Sequence, residues 1–187
     1  MKDMDPKMPS LSGSILIAHP SLHDANFKQT VILISAHSEQ QGALGVILNR
    51  PMGKTLGGLK EAFSYGVLAD VPLFFGGPVN ENELILTAWQ PTDDPGLYRL
   101  YFGLSPERAI ELKMGAGALE MRAFMGYSGW SSGQIEGELQ DNAWAVGPLD
   151  SHTLEAKDLK SLWRKALYRV RPEWLLVADT PPDPTLN

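Results

Sequence analysis

The 187-residue chain contains no cysteine, which excludes disulfides, thiolate metal sites and cysteine nucleophiles and is typical of a reducing compartment. It also lacks any apolar run close to the roughly 20 residues that a membrane helix needs. The charged N-terminus is followed by no apolar segment long enough for a signal peptide. These absences predict a cytoplasmic protein that has no membrane partner.

Positive charge is scarce relative to negative charge: 16 lysines and arginines stand against 22 aspartates and glutamates, which gives a formal net charge of −6. Since nucleic-acid affinity rests largely on cations that displace counterions, this charge disfavours binding of the whole surface to DNA or RNA. The exception is residues 157–171, which hold six cations and one acid, Asp158. We interpret them as the solvated face of a helix. A DNA-binding regulator that uses this segment stays open as an alternative, although no helix-turn-helix is recognisable.

Short apolar, β-branched runs separated by turn residues dominate the chain and predict buried strands. Helices are predicted at 55–64, after the Ser105-Pro106 start, at 133–142 and at 158–170, where the apolar spacing is clearest. A single domain is expected over 11–178, between a flexible N-terminus (1–10) and a loose proline-rich tail (179–187). The predicted strands cover residues 14–19, 30–36, 43–49, 71–79, 83–89, 97–102, 121–127, 142–146 and 173–179.

Residues 129–133, Gly-Trp-Ser-Ser-Gly, have the G-x-S-x-G spacing of a serine hydrolase between a predicted strand and a predicted helix. A nucleophilic serine needs a histidine that a carboxylate orients, and the only downstream histidine is His152, with Asp150 just two residues before it. We interpret Ser131 as the N-cap of the following helix, with Gln134 completing a capping box. No catalytic residue is predicted, and an esterase-type hydrolase using Ser131 stays an alternative.

Other polar clusters also favour structural interpretations. His19, His23 and Asp24 offer three metal ligands, but Pro20 spoils a helical arrangement and a turn is expected. Residues 76–78, Gly-Gly-Pro, are interpreted as a bend between strands rather than an anion site. Glu136 and Glu138 point to different faces of a helix and are predicted to be solvated charges. Neither a metal nor a cofactor is therefore predicted.

Five separated motifs occur together in a specific order: "AHPSLHDANF", "GALGVILNRP", "FFGGPV", "GYSGWSSGQIEGEL" and "NAW". In order and spacing they resemble the AlgH/YqgE family of bacterial proteins, over about residues 11 to 170. The resemblance implies an α+β fold in one domain, with a bifurcated mixed β-sheet partly closed into a small barrel and surrounded by helices. It also implies a cytoplasmic protein with no established activity. Some members of the family are described as transcriptional regulators.

The residues that match the family motifs are the candidate surface for a ligand or partner. Should the junctions at 49–51, 76–78 and 133–134 converge, Arg50 and the start of the helix would form a pocket for a carboxylate or phosphate. The leading hypothesis is a non-enzymatic regulatory or protein-interaction role with an unknown protein partner. Ser128, Ser131 and Thr87 depart from the family pattern. The candidate residues are Asp24, Asn49, Arg50, Gly76, Gly77, Tyr127, Trp130, Gln134 and Glu136.

Overall fold

The computed structural model of the chain describes residues 9–115 and 117–180. Most of the predicted flexible N-terminus (1–10) and of the predicted loose tail (179–187) lies outside these residues. The strands follow the predicted apolar runs, except that β4 was not predicted and that residues 173–179 form no strand. Their bounds are β1 (Ser14–Ala18), β2 (Val31–Ser38), β3 (Gly42–Ile47), β4 (Pro51–Thr55), β5 (Pro72–Phe75), β6 (Val79–Pro91), β7 (Tyr98–Leu104), β8 (Glu120–Trp130) and β9 (Trp144–Pro148).

The sheet forks at β8. The C-terminal end of β8, Ser128 to Trp130, pairs with β3 and continues through β2 and β1 to β9. The rest of β8 pairs with β6 on one edge and, in parallel, with β5 on the other, and β7 is added beyond β6. The predicted mixed, bifurcated sheet is therefore confirmed.

The predicted partial closure into a barrel is wrong. Closure requires the edge strands of a sheet to hydrogen-bond to each other. In the described residues, β4, β7 and β9 each pair with only one neighbouring strand, so the sheet stays open at three edges. The sheet stays open because the two halves of β8 pair with different strands, so the two branches diverge.

The helices are short and lie around the sheet. The start at Ser105-Pro106 is confirmed, since the Ser105 hydroxyl accepts a hydrogen bond from the Arg108 N–H. The predicted helix at 55–64 is broken at Lys60, whose backbone is extended, into α1 and a 3₁₀ turn. The bounds are α1 (Leu56–Leu59), α2 (Pro106–Met114), α3 (Gln134–Gln140), α4 (Ser151–Leu154), α5 (Leu162–Val170) and α6 (Leu175–Ala178).

Two predictions near the C-terminus need correction. Helix α5 begins four residues later than predicted, because the Asp158 side chain accepts hydrogen bonds from the Ser161 amide and hydroxyl and holds a turn there. The helix still ends before Pro172, as predicted. The strand predicted at 173–179 is instead a 3₁₀ turn followed by α6, which packs on α5 and is tied to it by an ion pair between Arg164 and Asp179.

Two hydrophobic cores lie on opposite faces of β8, because successive strand residues point to opposite faces. Phe124 belongs to the larger core, which is built from β1, β2, β3 and β9 with α5 packed against them. Ala123 belongs to the smaller core, which α2 and the segment around Leu68 cover. Each branch of the sheet therefore packs on its own hydrophobic core.

Candidate functional site

The Ser131 junction is a structural turn, although it differs from the predicted one. Helix α3 begins at Gln134 and its N-cap is Gly133, which has the left-handed φ of 75°. The Gln134 side chain accepts hydrogen bonds from the Ser131 amide (3.0 Å) and from the Ser131 hydroxyl (3.1 Å). The bond from the Ser131 amide to the Gln134 side chain is thus one of the two hydrogen bonds of a capping box, but the prediction of Ser131 as N-cap is wrong. Its hydroxyl is bonded to an amide oxygen, where a nucleophilic serine needs an imidazole.

Trp130 and Gln134 belong to a polar network centred on Glu138. One Glu138 carboxylate oxygen accepts the indole N–H groups of Trp130 (2.9 Å) and Trp144 (2.7 Å), and the other accepts the Gln134 amide N–H (2.9 Å). The two indoles are largely buried and pack on Phe27. The prediction that Glu138 is a solvated charge is therefore wrong, since this carboxylate satisfies two buried donors.

Glu136 is also partly buried, so the prediction that it is a solvated charge is wrong. Its Oε1 lies 2.7 Å from Nε2 of His37, whose side chain is almost completely buried. The Leu11 amide donates to Nδ1 of the same ring (3.0 Å), so Nδ1 is unprotonated and Nε2 donates to Glu136. This pair joins α3, β2 and the segment before β1. Glu136 Oε2 is buried and has no partner within the described residues.

Asp24 and Asn49 order the loop between β1 and β2. The Asp24 carboxylate accepts the Asn26 amide (2.9 Å) and forms the predicted turn. Asn49 is buried, accepting the Val31 amide and donating to the Gln29 carbonyl, both at 2.9 Å. These bonds place the loop, and with it Phe27, against the two indoles.

The junctions at 49–51 and 76–78 meet. Gly76 donates to the Met125 carbonyl (2.8 Å), and its own carbonyl accepts the Ile47 amide (3.0 Å) and the buried Ser128 hydroxyl (3.1 Å). Gly77 has a φ of 151°, and a Cβ there would lie 2.3 Å from the Tyr127 carbonyl oxygen. Only glycine fits such a close approach of two backbones. The predicted bend at Gly-Gly-Pro is confirmed, and β8 runs directly beneath it.

The third junction lies elsewhere, so the hypothetical pocket of Arg50 and the α3 start does not form. Ala43, near the start of β3, is opposite Trp130, whereas Ile47, at its end, bonds to Gly76. Arg50 follows that far end and donates to the Lys28 carbonyl. Gln134 lies beyond the other end, since β3 and β8 run antiparallel. The length of β3 therefore separates the two side chains.

Tyr127 lines a cleft where the sheet forks. The cleft has a volume of about 270 Å³. Leu44 projects into it from β3 and is 45% exposed. The Tyr127 hydroxyl lies 3.5 Å from the side-chain amide of Asn80. We call this feature the fork cleft; its lining residues are Leu44, Gly45, Glu83, Ile85, Phe102, Gly103 and Tyr127.

An apolar row extends from the fork cleft along β7. Tyr98, Leu100 and Phe102 are two residues apart, so their side chains share one face of the sheet. Leu100 and Phe102 are 36% and 38% exposed. We call these three side chains the β7 stripe. Its Tyr98 end lines a second cavity, of about 350 Å³, together with Trp89, Pro91, Ala118, Leu119, Glu120, Glu155 and Lys157.

Two buried side chains, Trp89 and Arg122, lie beside the β7 stripe. Trp89 is opposite Leu100 in the register and is buried, and the Arg122 guanidinium stacks between the rings of Trp89 (4.9 Å) and Phe74 (4.7 Å). Burial lowers the pKa of Arg122 to about 10. Among the described residues, the guanidinium donates only to main-chain carbonyls, those of Leu48 (3.2 Å) and Leu154 (3.3 Å). Sequence reasoning missed this arginine, because nothing in its local pattern marks it as buried.

The basic segment 157–171 is largely neutralised by acids. Its four ion pairs join side chains of α5 and its flanks to carboxylates around them, at 2.8 to 3.7 Å. They are Arg164 with Asp179, Lys165 with Asp158, Arg169 with Asp150, and Arg171 with Glu173. Only Lys157 and Lys160 of the six cations have no ion pair in the described part of the chain. Within residues 9–115 and 117–180, no helix has the length and apolar character needed to cross a membrane.

The chain is similar to known proteins over nearly its whole length. A model of the AlgH-like family matches residues 15–175. UPF0301 proteins from Streptomyces coelicolor and Thermobifida fusca are both 34% identical to it, covering 97% and 95% of this chain and 97% and 96% of their own.

Two solved structures share the fold. The solution structure of the AlgH protein from Pseudomonas aeruginosa is 30% identical, covers 98% of this chain and 100% of its own, and has a TM-score of 0.66. The crystal structure of a Corynebacterium diphtheriae protein is 24% identical, covers 95% of both chains and has a TM-score of 0.72. The motifs, the forked sheet and these similarities agree, and the chain belongs to the AlgH-like family.

Proposed function

We propose that this protein is a non-enzymatic cytoplasmic regulator that acts by binding another protein at the β7 stripe and the fork cleft. The observation that carries the proposal is the exposure of three apolar side chains: Leu44 and Phe102 at the fork cleft, and Leu100 two residues from Phe102 along the β7 stripe. Apolar side chains grouped in this way mark interaction sites more often than scattered ones do. Tyr127 also lies here, and it is one of the residues predicted from the family motifs.

The charges around this surface favour a basic partner. Glu83 lines the fork cleft, and Glu120 and Glu155 line the cavity at the Tyr98 end, where Lys157 is the one cation among the lining residues that the structure describes. The whole chain has a net charge of −6, so a second copy would bring like charges together. A partner segment with apolar residues between lysines or arginines is complementary to both features.

A hydrolase built on Ser131 has less support, because the Ser131 hydroxyl is bonded to Gln134. The test compares wild type with Ser131→Ala on a p-nitrophenyl ester. We expect no difference between the two proteins, and turnover that disappears in the variant would revive the enzyme hypothesis. Direct DNA binding is likewise weakened by the four ion pairs of the basic segment. Regulation of transcription would then proceed through the protein partner.

The experiment that tests the proposal is a comparative capture from native cell extract, followed by a binding measurement with the purified partner. The baits are wild type, Leu100→Ser with Phe102→Ser, and the control Leu176→Ser, which removes a leucine that is 77% exposed and outside the stripe. We expect wild type and control to bind one partner equally and the double variant to bind it at least about tenfold more weakly. Equal binding by all three, with circular dichroism showing intact folding, would refute the proposal.

A further inference from the structure

Strand β7 has a free edge. Within the described residues it pairs only with β6, from Leu104 opposite Leu86 to Tyr98 opposite Pro91. Natural proteins usually blunt such edges with prolines, charges or bulges, because an unpaired strand edge readily accepts another strand. Gly103, with a φ of 67°, interrupts only the end of β7. Residues 98–102 form a regular edge without proline, and their one charged side chain, Arg99, lies on the face opposite the β7 stripe.

The direction of the β7 backbone groups follows from one hydrogen bond. The Thr92 amide donates to the Leu97 carbonyl (3.0 Å). Opposite residues of two antiparallel strands alternate between hydrogen-bonded and non-hydrogen-bonded pairs. Counting from the bonded pair of Thr92 and Leu97, Arg99 and Tyr101 direct their amide and carbonyl groups to β6. Tyr98, Leu100 and Phe102 then direct theirs outward, where they remain available.

The same three residues thus offer both parts of a peptide site. Their backbone groups lie along the free edge, and their side chains form the β7 stripe on one face. A strand added to this edge would place every second side chain on the side of the stripe. It would span about 13 Å from Tyr98 to Phe102, at roughly 3.3 Å per residue.

We infer that the partner contributes an extended segment that pairs antiparallel with the free edge of β7 as an additional strand, with apolar residues at alternate positions and, on the same face, a cation at each end. The cations face Glu83 at the Phe102 end and Glu120 with Glu155 at the Tyr98 end. This inference rests on the proposed function, and it specifies the kind of segment that the surface binds. Main-chain hydrogen bonds would provide affinity, and the stripe would select the side chains.

The test uses the full chain and the peptide acetyl-Lys-Thr-Val-Thr-Val-Thr-Val-Thr-Lys-amide, in which the valines and both lysines lie on one face, with amide exchange followed by NMR. In the free protein, the amides of Tyr98, Leu100 and Phe102 should exchange faster than those of Arg99 and Tyr101. Saturating peptide should slow the first three at least about tenfold and leave the other two unchanged. If the first three are already protected in dilute monomeric protein, the edge is covered and the inference is wrong.

Two modified peptides provide matched controls. Since residues of an antiparallel strand that lie opposite Tyr98, Leu100 and Phe102 turn their own N–H groups toward β7, N-methylation of the three valines should weaken binding at least about tenfold. N-methylation of the two threonines between the valines, whose N–H groups point away from β7, should leave affinity nearly unchanged. Failure of the unmodified peptide to bind, or equal binding of both methylated forms, would overturn strand addition. The proposed function would survive that result if Leu100→Ser with Phe102→Ser still released the captured partner.

Discussion

Replacing Glu138 tests whether the motif around Trp130 serves folding or binding. In wild type, one carboxylate oxygen accepts the indole N–H groups of Trp130 and Trp144, at 2.9 and 2.7 Å. Leucine has a similar helix propensity but accepts no hydrogen bond. Glu138→Leu therefore leaves two largely buried donors without a partner, and each such donor costs about 1–3 kcal/mol. We expect the free energy of unfolding to fall by about 2–6 kcal/mol.

Urea unfolding followed by far-ultraviolet circular dichroism measures this loss without relying on the fluorescence of the two tryptophans. Glu138→Gln keeps one neutral acceptor oxygen and should lose no more than about half as much stability. Gln140→Leu is the matched control, because this exposed residue of α3 makes no side-chain hydrogen bond in the described structure. It should stay within about 0.5 kcal/mol of wild type. A Glu138→Leu protein as stable as this control would refute the structural role of the network.

Substitutions at three further positions test other parts of the structure by urea unfolding. Ser131→Ala removes an exposed hydrogen bond and should cost less than about 1 kcal/mol; a larger loss would mean that the turn depends on the hydroxyl. Gly77→Ala places a Cβ 2.3 Å from a backbone oxygen at a φ of 151° and should cost at least about 2 kcal/mol, whereas a neutral effect would contradict the close approach. Arg122→Met removes a charge whose burial costs roughly 3 kcal/mol, together with two hydrogen bonds to carbonyls, so the net change should stay within about 2 kcal/mol. Arg122→Ala, which also leaves a cavity, should be less stable than Arg122→Met by at least about 2 kcal/mol, and equal stability would show that the site collapses.

Local patterns in the sequence were sufficient for most elements of the fold. Alternating or continuous apolar runs located the strands, Ser105-Pro106 located the start of α2, and Pro172 located the end of α5. These features act over a few residues, so the chain carries them without reference to its tertiary partners. Strand β4 was missed because its five residues are all exposed and begin with a proline, which is typical of an edge strand. The 173–179 segment was misassigned because apolar composition alone does not separate a short strand from a short helix.

The candidate site depended on contacts that no local pattern contains. The sequence by itself determined the family, the two glycines that allow β8 to pass close to the 76–78 bend, and the alternation that makes one face of β7 apolar. Only the tertiary structure decided that Glu136 and Glu138 are bound to partners, that Arg50 and Gln134 lie beyond opposite ends of β3, and that the apolar face of β7 stays exposed. The reason is that burial and partnership depend on which strands become neighbours. In this protein the fork at β8 determines those neighbours, and it leaves β7 as an edge.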